Sequence, residues 1–81
     1  MNEPKLSSNA IIYAILALDA ESLTQQDYIA SGKVPADELQ MEEDTLDDLQ
    51  QAFMELIDLY KHRCKSDKSL PSLEELLTNP L

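Results

Sequence analysis

Glycine occurs once, at Gly32, and cysteine once, at Cys64. Scarce glycine argues against a sheet, because tight hairpins consume glycine in Asn-Gly and Asp-Gly pairs, and neither pair is present. It also rules out a glycine-rich loop that cradles phosphate. A lone cysteine leaves no internal disulfide framework and no cysteine-rich zinc site, and it fits a reducing compartment. Basic residues are the third shortage: six Lys and Arg face sixteen Asp and Glu, for a net charge of −10. Direct binding to a nucleic-acid backbone or an anionic membrane needs clustered bases, so neither is expected. Long apolar runs are missing too. The longest, Ala10–Leu18, is too short to span a bilayer. Only Lys5 precedes it, offset by Glu3, so the positive flank of a secretory signal is lacking. A cytoplasmic location follows as the expectation.

What is there favours helix. Leu, Ala, Glu and Gln dominate, and 43% hydrophobic residues are enough for a folded core. The 81 residues make one small domain, 1–81, whose first seven form a polar lead-in. The expected fold class is all-α, a compact bundle of three to four helices that dimerisation could complete.

Ser7, Ser8 or Asn9 can cap a first helix running to about Ala20. Its residues Ile11, Ile12, Tyr13, Ala14, Ile15, Leu16, Ala17 and Leu18 leave almost no polar face, so it needs cover on more than one side. Asp19 to Lys33 reads as a connection holding a short helix, with Ser22 and Thr24 as candidate caps. Gly32 can end a helix in the left-handed conformation, and Pro35 suits the first position of the next helix. Residues 36–65 keep helical spacing as one helix or as two broken near Asp44-Thr45. Ser72 and Glu75 match a capping box that opens a last short helix carrying Leu73, Leu76 and Leu77, with Pro80 as its stop. The expected core is Ile12, Ile15, Leu16, Leu49, Phe53, Leu56 and Tyr60.

Turned at about 100° per residue, the long helix places Leu46, Leu49, Phe53, Leu56, Ile57, Tyr60 and Cys64 on one side. Met54 and Leu59 widen that apolar sector on its two flanks, which suggests two neighbours or a second chain. His62 and Cys64 fall on nearly opposite faces, so a shared metal is not expected, and Cys64 reads as a small buried hydrophobe. Glu42–Asp48 lacks the glycine and spacing of a calcium loop. No nucleophile elbow supports any serine. Neither catalysis nor a cofactor is expected.

Two binding surfaces remain. Asp44, Asp47, Asp48, Glu55 and Asp58 belong to an acidic stretch free of Lys and Arg, followed at once by Lys61, Arg63, Lys65 and Lys68. Acids first and bases last is what the helix macrodipole favours on its own. The sharper alternative is that the acids imitate phosphates and occupy the basic groove of a nucleic-acid-binding protein. The second surface is apolar: Met54 and Leu59, and the Leu-x-x-Leu-Leu pattern of Leu73, Leu76 and Leu77, which can dock in a partner's groove or pack on the chain's own core. The functional expectation is a regulatory or adaptor protein that binds another protein, with self-association as a further partner choice and the acidic inhibitor as alternative.

Overall fold

The computed structural model describes residues 6–78, without the side chain of Thr78. Most of the lead-in, Met1–Lys5, and the proposed stop at Pro80 lie outside the described residues. Among the described residues there is no strand, and three helices follow one another: α1 (Ser8–Ala30), α2 (Leu39–Ser66) and α3 (Leu73–Thr78). The two long helices pack together as a hairpin, and α3 lies against α1.

Helix α1 begins where a cap was expected. Ser7 is the N-cap, and its Oγ accepts from the Ala10 N–H at 3.0 Å. The helix does not stop near Ala20. The separate short helix expected within Asp19–Lys33 is the second half of α1, because nothing between Asp19 and Ala30 interrupts the backbone. The supposed caps do other work: Thr24 Oγ1 donates to the Ala20 carbonyl one turn back, and Ser22 is buried within the helix. What changes after Leu18 is the chemistry of the packing stripe. Ile11, Ile15, Leu18, Ser22, Gln25 and Ile29 recur at alternating four- and three-residue intervals, the spacing of a coiled-coil seam. That stripe turns polar at Ser22 and Gln25 without losing its period, so an apolar pattern alone ends too early.

Ser31 is the C-cap of α1, its N–H donating to the Asp27 and Tyr28 carbonyls. Gly32 follows at φ +75°, the left-handed residue the sequence suggested. Pro35 does not open the next helix. Its carbonyl accepts from the Glu38 N–H in a turn, and α2 starts at Leu39 with no side-chain cap. The question of one helix or two across 36–65 is answered by a single 28-residue helix. Thr45, the candidate restart, donates its Oγ1 to the Met41 carbonyl and stays inside the helix.

The core is small and lies at the open end of the hairpin. Ile11, Ile15, Ile57 and Tyr60 are buried. Around them pack the half-buried Ile12, Phe53, Leu56, Cys64, Leu70, Leu73, Leu76 and Leu77. Of the expected core, Ile15 and Tyr60 are fully enclosed, whereas Ile12, Leu16, Leu49, Phe53 and Leu56 are only half-buried. Ile11 and Ile57 take the central places instead, being nearest the line where the two helices meet.

The bundle expectation is met in helix content and in the packing of the two long helices. The molecule measures 47 × 35 × 16 Å, and its radius of gyration is 15.5 Å, against about 12 Å for a compact chain of this length. The third helix covers the hairpin only at its open end, where Leu73, Leu76 and Leu77 pack on the core.

Candidate partner-binding surface

The site is best built from the seam outward. At the open end, Tyr60 crosses the core and donates its hydroxyl to the Pro71 carbonyl at 2.5 Å, tying α2 to the segment that leads into α3. Burial pushes the Tyr60 phenol up to about 12, with Cys64, Glu75 and Asp67 adding to it. Ser72 Oγ accepts from the Glu75 N–H at 3.1 Å and meets the Glu75 carboxylate at 3.3 Å, half of the expected capping box and its side-chain counterpart. The Asp67 carboxylate, accepting from the Ser69 hydroxyl and backbone N–H, is held below its ordinary range. Arg63 closes the same end, its guanidinium donating to the Leu6 carbonyl at 2.6 Å and to Ser8 Oγ at 3.3 Å.

Toward the loop the seam is held differently. Gln25, buried, donates its amide to both the Glu42 carbonyl at 3.0 Å and the Glu42 carboxylate at 2.7 Å. Ser22 is equally buried, and its Oγ has no hydrogen-bond partner. Among the described residues no third helix adds to this half. Leu18, Leu46 and Leu49 therefore stay half-buried in the seam itself.

The structure sorts the expected binding residues into three groups. Asp44, Asp47, Asp48, Glu55 and Asp58 are all exposed on α2, the side away from the seam. Gln40 donates to the Asp44 carboxylate one turn earlier on that surface. Met54 is 58% exposed and Leu59 36%, on opposite flanks of the apolar sector. Leu73, Leu76 and Leu77 are brought together against the chain's own core, half-buried, which leaves little of their surface for a partner's groove. His62 is exposed while Cys64 sits half-buried against the core, on separate sides as the wheel required. Among the described residues no three His, Cys, Asp or Glu side chains are grouped to hold a metal ion. None of their helices is long and apolar enough to cross a membrane.

Sequence reasoning missed an apolar surface on α1 and at the start of α2. Tyr13 is 66% exposed, Leu23 54% and Met41 62%. For Tyr13 the signal was the all-round apolar character of Ala10–Leu18, which one neighbouring helix cannot cover; Leu23 and Met41 lie outside that run. No protein-family model, curated protein or solved structure matches the chain.

Proposed function

We propose that this protein acts by binding another protein through the apolar helical surface that its hairpin leaves open, in an adaptor or regulatory role and not in catalysis. The observation that carries this reading is the exposure of Tyr13, Leu23, Met41, Met54 and Leu59 beside a core of four buried apolar side chains. Large apolar side chains left exposed on so small a chain are what a partner would cover. The lone, half-buried Cys64 is compatible with work in the cytoplasm.

A second reading has its own observation: the exposed carboxylates of Asp44, Asp47, Asp48, Glu55 and Asp58 on one helix. They would suit a basic groove. Salt separates the two readings, since exposed charges are screened over about 8 Å at 0.15 M while apolar contacts persist. The test immobilises the protein, captures partners from nuclease-treated lysate, and elutes with salt followed by mild denaturant. The proposal expects a partner that stays through high salt and is lost with Leu59→Lys or Met54→Lys. A basic protein released by moderate salt, and lost with Asp47→Lys plus Asp48→Lys, would replace it with the inhibitor reading.

A further inference from the structure

Helix α3 cannot hold its shape alone. It has six residues, and isolated helices shorter than about 12–15 residues are marginal in water. Its order comes from where it lies. Leu73, Leu76 and Leu77, with Leu70 just ahead of them, rest on the core of Ile11, Ile15, Ile57 and Tyr60. The Tyr60 hydroxyl donates to the Pro71 carbonyl at 2.5 Å, and Ser72 Oγ accepts from the Glu75 N–H in the first turn. The side-chain bonds that join α1 and its lead-in to α2 run elsewhere: Arg63 donates to Leu6 and Ser8, and Gln25 to Glu42. None of these involves α3, so the hairpin keeps them when α3 lifts away.

We infer that the end of the hairpin beneath α3 is a helix-binding groove, occupied in cis by α3 and taken in trans by a longer amphipathic helix of another protein, with leucines at the same spacing and acids on its outer face. This surface is distinct from the exposed Met54 and Leu59 of the binding reading above, and the two can fail separately.

The occupant in place is the first argument. Helix α3 shows what the groove accepts: leucines one, four and five places along a helix, the usual anchors of a helix laid in an apolar groove. Charge is the second. Four of the six basic residues, Lys61, Arg63, Lys65 and Lys68, stand on the last two turns of α2 and in the turn that follows. The polar positions of α3 between its leucines are Glu74 and Glu75. In a chain of net charge −10, this is the end at which an acidic helix is not repelled. Length is the third. A longer helix brings more of its own order to the groove and loses less entropy on docking than six residues do. The tether gives α3 a high effective concentration, so short or poorly matched helices are turned away while the core stays covered.

The probe is a dye-labelled, acetylated peptide of residues 67–78, added to the full chain and followed by fluorescence anisotropy. Wild type should bind it weakly, because α3 already fills the groove. The full chain carrying Leu73→Ser and Leu76→Ser should bind it at least about tenfold more tightly, as expected when the open groove rises from a tenth or less of the population to most of it. A peptide with the same two substitutions should not bind. Cys64 reports the place: it is the only cysteine, packs against the core and adjoins the Tyr60 hydroxyl. Its reaction with a thiol reagent should be faster in the variant and slow again when peptide saturates the groove. Equal affinity for wild type and variant overturns the inference, as does binding that leaves the Cys64 rate unchanged. A helical variant that binds no peptide does the same. If the variant loses its helical circular dichroism, hydrogen exchange of wild type decides. The Glu75 and Leu76 amides should exchange through an opening that leaves the Ile15 and Ile57 amides protected, and equal protection of all four overturns the inference.

Discussion

Ser22 and Gln25 occupy equivalent places in the α1 seam and differ in what their polar atoms find. The Gln25 amide is met twice by Glu42, whereas the Ser22 hydroxyl is buried without a partner. A buried polar group left unpaired costs about 1–3 kcal/mol, and alanine is also the better helix former. Ser22→Ala should therefore raise the melting temperature, measured by circular dichroism. Gln25→Ala should lower it, because it strips the Glu42 carboxylate of its donor. Tyr60 gives the complementary case. Tyr60→Phe keeps the ring but leaves the Pro71 carbonyl without its donor, so it should cost about 1–2 kcal/mol. The pH dependence at this residue has a definite sign. The folded phenol titrates near 12 and an unfolded one near 10. Stability linked to Tyr60 is thus fully present below about pH 10 and falls as pH rises from there towards 12, because only the unfolded chain releases the proton in that interval. Alkaline titration of wild type and Tyr60→Phe, followed by circular dichroism, should show this loss in wild type alone.

At the scale of elements, the ends of the helices were more legible than their interiors. A cap among Ser7, Ser8 and Asn9, Gly32 in the left-handed region and the Ser72–Glu75 pairing could all be read from residue type, because each depends on a few neighbouring backbone groups. The continuity of α1 could not. Ser22, Thr24 and Gln25 interrupt the apolar pattern in the sequence, yet in three dimensions they lie along an unbroken helix whose partner, near Glu42, is distant in the chain. Ile11 was passed over for Ile12 for a related reason: in a helix apolar all round, only the direction of the neighbouring helix selects the buried residue. Met54 and Leu59, read as flank positions of α2, are both exposed, but which flank lies open depends on how the hairpin closes. The capping residues yield the measurable consequences here. Gly32 has open space where a Cβ would stand, so Gly32→Ala suffers only from its φ of +75°, a cost of about 1–2 kcal/mol. Ser72→Ala removes the bond to the Glu75 N–H and should cost about 1 kcal/mol, with faster amide exchange confined to α3.

Across the whole molecule, charge and thinness act together. With −10 on 81 residues and the acids crowded towards the loop, self-repulsion opposes folding. Raising ionic strength from about 0.01 M to 0.15 M shortens the screening length from about 30 Å to 8 Å and should raise the melting temperature. Four buried apolar side chains make a modest core for a chain of this length. Any partner that covers the open face adds stability by mass action, so the melting temperature of a self-associating chain should climb with protein concentration.

The placement of that core also bears on how the chain reaches its fold. A helical hairpin usually gains its best contacts beside the turn, so closure can begin there and travel outward. Here the loop half offers a polar pair and half-buried leucines, while Ile11 meets Ile57 and Tyr60 at the far end. Some forty-five residues must be looped before the strongest contacts form, and the entropy of that closure is lost before burial offsets it. The strongest contacts of this hairpin are thus its most distant in sequence, and it should fold more slowly than its all-helical content would suggest, which stopped-flow circular dichroism would measure.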